Sequence, residues 1–267
     1  MFKFKSFRAV LIIGSSAICA VPTWANTPVN NVILQNTVPP TPPLQSSTIN
    51  PNSPINPGVL QILNAATAAY SKMQSYQQTT EILERNAQNA IEKDTAYTLA
   101  TERPNKFCYR SEDSSGVAAV CNGKTFINFT GSDQTYTQTK APASLDDIDI
   151  VNGVTFDPVG TYLIALMIQD RPLGDPSLRA SFAMAPSPGH QVVNGVTYDT
   201  ISAPIEEGGA PYVFYFNAQT HLLHKVMMPD PAPQSHLVEV IEDVKVNKPI
   251  PDSTFEYELP HGAVWII

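Results

Sequence analysis

The hydrophobic positions along the chain first follow the period of a helix. From Pro57 onward, apolar side chains recur every three or four residues, which is the spacing of one helix face. Asn56 is a suitable N-cap residue, and proline is favoured at the first helical position. The pattern therefore predicts a helix from Pro57 whose apolar face belongs to the core. That face consists of Val59, Ile62, Leu63, Ala66, Tyr70 and Met73.

After this helix the period changes to that of strands. In the predicted strand Thr95–Arg103, Tyr97 and Leu99 lie on one face, and Phe107 and Tyr109 share a face of the next strand. The dipeptide Asn122-Gly123 suits a two-residue primed turn, because both residue types tolerate positive φ. The segment therefore predicts an antiparallel sheet built from hairpins. Further short strands are predicted at Ile127–Phe129 and Tyr136.

A second helix is predicted after a polar stretch that contains Asp146, Asp147 and Asp149. Asp157-Pro158 would begin it, and Pro172 and Pro176 would end it. Its apolar positions are Val159, Tyr162, Leu163, Leu166 and Met167. Strands are predicted again near Ala180–Ala185, Gln191–Ile201, Pro211–Phe216, His221–Met228 and Leu237–Val246, and a last one from the alternation of Phe255, Tyr257 and Leu259.

The first 56 residues predict an export signal and a tether. Residues 1–25 carry a basic start, a short apolar run and small residues before a cleavage point after Ala25. An uncleaved anchor is the alternative, and lipid attachment at Cys19 is disfavoured because Ile18 precedes it. Residues 26–56 are rich in Pro, Asn, Ser and Thr, a composition typical of a disordered spacer. We therefore expect an exported chain whose folded domain spans residues 57–267.

Charge and cysteine content narrow the class of function. Without residues 1–25 the chain would have 13 basic and 24 acidic residues, a net charge of −11. This balance argues against nucleic acid and against electrostatic docking on anionic lipid. Cys108 and Cys121 lie on two neighbouring predicted strands, and in an oxidising compartment such a pair favours a disulfide worth roughly 2–4 kcal/mol. Two free buried thiols are the alternative.

The sequence contains no motif for catalysis or for a cofactor. Nucleophile elbow, zinc-protease, phosphate-loop and dinucleotide patterns are all missing from it. Asp146, Asp147 and Asp149 lack the glycine and terminal glutamate of a calcium loop, so a solvated acidic loop is favoured. We therefore expect a protein that is not an enzyme and that needs no metal or cofactor.

Three stretches resemble the LolA/LolB superfamily of periplasmic lipoprotein carriers. They are the first helix leading into a strand, the block RPNKF followed by NGKTF, and the ending STFEYELPHGA. The resemblance is closest to a set of predicted periplasmic proteins in that superfamily. It implies an α+β fold in which a strongly curved antiparallel sheet forms an incomplete (half) β-barrel with helices across its concave face. It also implies a periplasmic location.

The resemblance implies a soluble periplasmic carrier or sensor that holds lipid or lipoprotein acyl chains, or another apolar ligand, in the cavity of the half-barrel. The second helix would be its lid. Arg103 has the parity of Tyr97 and Leu99, so its charge needs a partner on that face. That partner would be a carboxylate or carbonyl of a neighbouring helix, a closed lid, or a ligand head group, and Pro104 would end the strand. The predicted cavity residues are Tyr97, Leu99, Phe107, Tyr109, Tyr162, Met167, Phe214 and Phe216.

Two other functions stay open at this point. One is a protein-interaction module with a filled core and an envelope protein as its partner. The other is an exported hydrolase that uses a buried pair of carboxylates in an open cleft. Carriage of lipid would bring transient contact with a membrane surface. The oligomeric state is left open.

Overall fold

The computed structural model describes residues 53–85, 90–112, 116–154, 156, 158–204, 210–228 and 237–266. The predicted signal and residues 26–52 of the predicted tether lie outside these residues. All described residues belong to one compact unit, Gln45–Ile267.

The first helix, α1, spans Pro57–Tyr70 and begins as the sequence predicts. The side chain of Asn56 accepts a hydrogen bond of 2.9 Å from the amide of Gly58, and Pro57 occupies the first turn. Val59, Leu63 and the rest of the predicted apolar face are buried, with Ile62 partly so. The prediction of α1 and of its buried face is confirmed.

Among the described residues, twelve strands form one open sheet. They are β1 Ser75–Arg85, β2 Ile91–Glu102, β3 Lys106–Ser111, β4 Ala118–Asn122, β5 Thr125–Thr130, β6 Thr135–Lys140, β7 Gly189–Val193, β8 Val196–Pro204, β9 Pro211–Asn217, β10 Leu223–Met228, β11 Leu237–Val246 and β12 Val264–Trp265. Their spatial order is β12-β6-β5-β4-β3-β2-β1-β11-β10-β9-β8-β7. Each neighbouring pair is antiparallel except β12 and β6, which are parallel. The sheet is therefore large, mixed and not closed.

Between β6 and β7, the described part of the chain forms three α-helices: α2 Ile150–Gly153, α3 Val159–Ile168 and α4 Pro176–Met184. A 3₁₀ turn at Leu145–Asp147 precedes them. The second predicted helix is confirmed as α3. In the part of the chain that the structure describes, no helix is long and apolar enough to cross a membrane.

The strand predicted at Ala180–Ala185 is wrong, because this segment lies mostly in α4. The carboxylate of Asp175 accepts a hydrogen bond of 2.8 Å from the amide of Leu178 and so caps the helix. Pro176, which the sequence suggested as a helix terminator, is the first residue of α4. A proline that ends one helix can begin the next, since its missing N–H is not needed there.

Two other strand predictions need correction. Gln191–Ile201 is not one strand but the hairpin β7–β8, in which Asn194 and Gly195 have φ of 51° and 79° and form its tight turn. At the turn that we did predict, Asn122-Gly123, only Gly123 has positive φ. The alternating Phe255, Tyr257 and Leu259 lie in a 3₁₀ turn and an extended segment that packs on the sheet, and the last strand is β12.

Each face of the sheet has its own core. One face, here the helix-covered face, carries Tyr76, Leu99 and Phe107 and packs against α1, α3 and α4. The opposite face carries Ala100 and Val120 and is covered in part by the C-terminal segment Ile250–Ala263. The register supports this division, because residues directly opposite each other in a ladder project to the same face.

The predicted disulfide between Cys108 and Cys121 is wrong, because both residues are free, buried thiols. Cys108 is paired with Val120, whereas Cys121 is paired with Phe107. The two sulfurs therefore lie on opposite faces of the sheet, which no disulfide can bridge. Burial raises the pKa of Cys108 to about 11, so its thiol is neutral at physiological pH.

Candidate functional site

Helix α3 is enclosed by protein around most of its circumference. Eight of its ten residues are buried, and Leu163, Leu166 and Met167 are fully inaccessible. A helix that is apolar all round is typical of a position inside a core. The polar contacts that fix it come mainly from side chains at its two ends.

At the N-terminal end of α3, the carboxylate of Glu239 on β11 receives three hydrogen bonds. The amides of Gly160 and Thr161 donate at 2.8 Å each, and the Thr161 hydroxyl lies 3.0 Å away. A carboxylate is favoured at this end by the partial positive charge of a helix N-terminus. A Cβ at Gly160 would lie only 2.8 Å from Oε1 of Glu239, so this close approach requires glycine.

Glu239 is fully buried, and burial changes its protonation. Desolvation raises the pKa of Glu239 from 4.5 to about 7, while the hydrogen bonds from Gly160 and Thr161 act in the opposite direction. The carboxyl group therefore exchanges its proton near neutral pH in the folded protein.

A chain of buried polar side chains continues from Glu239 toward α1. The hydroxyls of Thr161 and Thr80 are 2.8 Å apart, and Nε2 of Gln78 donates to Thr80 Oγ1 at 2.7 Å. The hydroxyl of Tyr76 donates to Oε1 of Gln78, and the ring of Tyr70 in α1 meets the Tyr76 ring edge-on at 5.3 Å. The chain links α1, β1, α3 and β11.

Sequence reasoning missed this chain and Glu239. Tyr76, Gln78 and Thr80 share the parity of one strand face, which was the available signal. Polar residues at such positions usually indicate a solvated face, whereas here they are buried beneath α3.

At the C-terminal end of α3, Arg103 binds carbonyl groups of two helix ends. Its Nη2 donates to the carbonyl of Ile168 at 2.8 Å and to that of Ser71 at 3.0 Å, and Nε donates to Met73 at 3.2 Å. Asp146 is a looser partner, with Oδ1 3.8 Å from Nη1. Backbone carbonyls at helix ends are thus the main partners of Arg103 in this structure. Such carbonyls carry partial negative charge, which suits a guanidinium.

The turn after Arg103 is tied to the segment that leads into the helices. The peptide bond Arg103–Pro104 is cis, and the carbonyl of Pro104 accepts a hydrogen bond of 2.7 Å from the amide of Leu145. Nδ2 of Asn105 donates to the carbonyl of Pro142 at 2.8 Å. The RPN block therefore joins the end of β2 to the stretch that precedes α2 and α3.

The structure brings the predicted apolar residues into one cluster between the sheet and the helices. The rings of Tyr97 and Tyr109 are stacked with centroids 5.8 Å apart. Phe156, which sequence reasoning missed, lies 4.2 Å from the Tyr109 ring and 5.4 Å from the Tyr162 ring. The hydroxyl of Tyr162 donates to Asp175 at 3.0 Å. The cluster includes Tyr97, Leu99, Phe107, Tyr109, Tyr162, Met167, Phe214 and Phe216.

These side chains fill the space beneath α3. Leu99, Phe107 and Phe214 are at most 1% exposed. A cavity of about 90 Å³ lies on the opposite face, next to Phe255 and Tyr257. It is small beside the ~300–1,000 Å³ of common ligand pockets. A ligand in the apolar cluster would therefore have to displace α3.

Residues 60–153, roughly a third of the chain, match a family described as "Predicted periplasmic protein (DUF2092)". This description confirms the predicted periplasmic location. No curated protein matches the chain.

Several solved structures show a remote likeness to this chain. An uncharacterized conserved protein from Thermus thermophilus is 10% identical, with 78% of this chain and 97% of that chain covered and a TM-score of 0.43. The LolA superfamily protein NE2245 from Nitrosomonas europaea is 14% identical, with coverages of 76% and 99% and a TM-score of 0.32. The Pseudomonas aeruginosa MucA/MucB complex is 12% identical, with coverages of 75% and 61% and a TM-score of 0.31. At these values the likenesses carry no argument about function.

Proposed function

We propose that the chain is a periplasmic carrier or sensor that binds an apolar ligand, such as lipid or lipoprotein acyl chains, between α3 and a half-barrel sheet. The observation that carries this proposal is the attachment of α3. The helix is apolar along its length, while polar side chains from the sheet bind its two ends. Such a helix can leave as a unit and expose an apolar surface.

Burial of methylene groups would drive binding. A ligand chain would replace the contacts that α3 makes with Leu99, Phe107 and their neighbours on the helix-covered face. Each buried methylene stabilises the complex by about 0.8 kcal/mol, so a long acyl chain would contribute roughly 10 kcal/mol before the loss of its freedom. The free energy required to displace α3 is subtracted from this value. The affinity for the ligand therefore depends on how firmly α3 is attached to the sheet.

Arg103 would be the latch of this lid. Its guanidinium bridges the last turns of α1 and α3, so release of α3 removes its shortest hydrogen bond, the one to Ile168. A freed guanidinium would then face the mouth of the ligand site, where it could receive an anionic head group. Pro104 would keep Arg103 in place by ending β2.

The direct test is a mass spectrum of lipid extracted from the mature protein, purified from periplasm without detergent. A stoichiometric acyl species is the expected result. Uptake of a fluorescent fatty acid by delipidated protein would give the same answer in solution. An empty protein that also fails to take up the fatty acid would refute the carrier proposal.

The filled cluster beneath α3 favours a second candidate, an envelope protein-interaction module without a lipid ligand. In that case the sheet is a scaffold, and another envelope protein is the partner. Photo-crosslinking in the periplasm would test it. An empty protein that forms one defined crosslinked heterocomplex supports this candidate, whereas a lipid-loaded protein without such a complex supports the first. The hydrolase alternative requires a buried acid pair, whereas Glu239 is the one fully buried carboxylate among the described residues.

A further inference from the structure

We infer that Glu239 couples the docking of α3 to the binding of one proton: the helix docks on a protonated carboxyl group and leaves an ionised one. This coupling would regulate the proposed ligand site, and it rests on the proposed function only in taking α3 as the element that moves. Glu239 lies at the contact between β11 and the first turn of α3.

The hydrogen bonds of Glu239 cannot survive the departure of α3. All three that it receives come from Gly160 and Thr161, which belong to α3 itself. When the helix leaves, the carboxyl group loses these donors and gains water. The protonation of Glu239 therefore differs between the two positions of α3.

The neighbouring hydroxyls can accommodate either protonation state. Oγ1 of Thr161 lies 3.0 Å from Oε1 of Glu239 and 2.8 Å from Oγ1 of Thr80. With an ionised carboxylate, the Thr161 hydroxyl donates to Oε1. With a protonated carboxyl group, Oε1–H donates to Thr161, whose hydroxyl turns and donates to Thr80. The change of protonation therefore requires only that the hydroxyl groups of Thr161 and Thr80 turn, without a movement of the backbone.

The direct cross-strand neighbours of Glu239 on the helix-covered face are uncharged: they are Ile82 on β1 and Val226 on β10. Beyond Thr80 and Gln78, the titratable groups of the hydrogen-bonded chain are the phenols of Tyr76 and Tyr70, whose pKa values burial raises. Farther along the same face lie the exposed Glu84, paired with Leu237, and Arg103 and Tyr162. The charged residues next in sequence to these neighbours, Glu81 and Lys225, alternate to the opposite face. Along this hydrogen-bonded chain, Glu239 is therefore the group whose pKa lies near neutral pH.

The direction of the effect follows from linkage. In the docked state, burial raises the pKa of Glu239 to about 7, whereas a solvated carboxyl group has its ordinary value of 4.5. The docked state therefore holds its proton over a pH range in which the released state has lost it. The equilibrium constant for release of α3 rises with pH by up to about tenfold per unit between these values, and of the order of 10²-fold in all.

The test is hydrogen exchange of the α3 amides in the ligand-free full protein, measured by mass spectrometry between pH 5 and pH 8. Rates are corrected for the intrinsic pH dependence of exchange, and peptides from β3 serve as an internal reference. We expect the opening constant of α3 to rise on the order of 10²-fold in the wild type. We expect a nearly flat profile in Glu239→Gln, which keeps the shape of a protonated carboxyl group.

Glu242→Gln is the matched control, because Glu242 is an exposed carboxylate on the same strand. This variant should retain the wild-type slope. An equal slope in Glu239→Gln would overturn the inference. Because no ligand is present, failure of the protein to bind acyl chains would not change this result.

A second measurement covers the case in which Glu239→Gln does not fold. The carboxyl carbon of Glu239 can be followed by NMR in ligand-free wild-type protein that carries ¹³C-labelled glutamate. Its chemical shift is measured from pH 4 to pH 8. A midpoint near 7 supports the coupling. A midpoint at or below 5 overturns it, because docking would then take up no proton.

Discussion

Glu239 and Arg103 bind opposite ends of the same helix, although neither belongs to a helix. Glu239 accepts hydrogen bonds of 2.8 Å from the first turn of α3, and Arg103 donates one of 2.8 Å to Ile168, its last residue. The ten residues of α3 separate these contacts by about 15 Å. Hydrogen-bond acceptors at the N-terminus and a cation at the C-terminus both complement the helix dipole. The sheet thus holds an apolar helix through two polar attachments.

Replacement of Gly160 by alanine should release the N-terminal attachment. Alanine normally stabilises a helix relative to glycine by roughly 0.5–1 kcal/mol. Here the new Cβ would meet Oε1 of Glu239 and Cγ2 of Val226, each at 2.8 Å. We expect the free energy of unfolding to fall by about 2 kcal/mol, because overpacking outweighs the helix propensity. Urea unfolding followed by circular dichroism measures the change.

Gly153→Ala is the control for this prediction. Gly153 is the last residue of the short helix α2, and a Cβ there would make an ordinary contact of 3.5 Å with Asp149. This variant should be as stable as the wild type or slightly more so. A stable Gly160→Ala protein would show that α3 does not need the close contact with Glu239.

Replacement of Arg103 by leucine should loosen the C-terminal attachment. The carbonyls of Ser71 and Ile168 would lose a charged donor, and such hydrogen bonds contribute about 1.5–3 kcal/mol each. We expect a loss of at least about 3 kcal/mol of stability, together with faster exchange at the ends of α1 and α3. If the lid proposal holds, fatty-acid uptake and release should both become faster.

Arg103→Lys separates charge from geometry. One ammonium group keeps the positive charge but cannot reproduce the planar fork that spans both helix ends. Its stability and uptake rate should lie between those of the wild type and Arg103→Leu. If Arg103→Leu leaves both uptake and release unchanged, Arg103 is not the latch.

The stability of the whole protein should also depend on Glu239 and pH. Its pKa is about 7 in the folded state and ordinary, 4.5, in the unfolded chain, so folding favours the protonated form. The contribution of Glu239 to the free energy of unfolding is complete below pH 4.5 and is lost as the pH rises through 7. This contribution is about 3 kcal/mol at most. The difference in stability between wild type and Glu239→Gln, from urea unfolding at pH 5 and pH 7.5, measures it.

Subtracting the free energy of unfolding of Glu239→Gln from that of the wild type at each pH removes the contribution of other titratable groups. His224, for example, has its pKa lowered by burial, which gives the opposite dependence on pH. A difference that stays constant between the two pH values would mean that Glu239 is ionised throughout this range in the folded protein.

The thiols of Cys108 and Cys121 should become reactive only when the protein unfolds. Burial raises the pKa of both Cys108 and Cys121, so little thiolate is present at pH 8 in the folded protein. We expect slow alkylation of native protein and rapid alkylation of both residues in urea without a reductant, seen by peptide mass spectrometry. Peptides joined by a disulfide between Cys108 and Cys121 would contradict the register of β3 and β4.

Local pattern was sufficient for much of the fold. The period of apolar residues and the cap at Asn56 predicted α1, and strand alternation predicted the face shared by Tyr97, Leu99, Phe107 and Tyr109. The same parity placed Arg103 where it needed a partner from a helix. These features depend on residues that are near in sequence, whose relative directions are set by the backbone geometry of one element.

Local pattern failed where the outcome depends on register or on a choice between neighbouring elements. A shift of one residue in the pairing of β3 with β4 would have placed Cys108 opposite Cys121 and allowed the disulfide. Pro176 alone was equally consistent with the end of one helix and the start of another. Asp175 before Pro176 is the same pair of cap residue and proline that marks the start of α1, so it was a local signal for a helix start that the prediction overlooked. Nothing in the local sequence distinguishes the two registers.

The sequence by itself determined most of the elements and the face on which the apolar side chains of α1, β2 and β3 lie. Only the tertiary structure decided which polar groups would share the space beneath α3. Glu239 and Thr161 are 78 residues apart, and their contact arises because β11 pairs with β1 while α3 covers both. Burial of a carboxylate requires partners that only the folded chain can supply, so neither its hydrogen bonds nor its pKa can be predicted from local sequence.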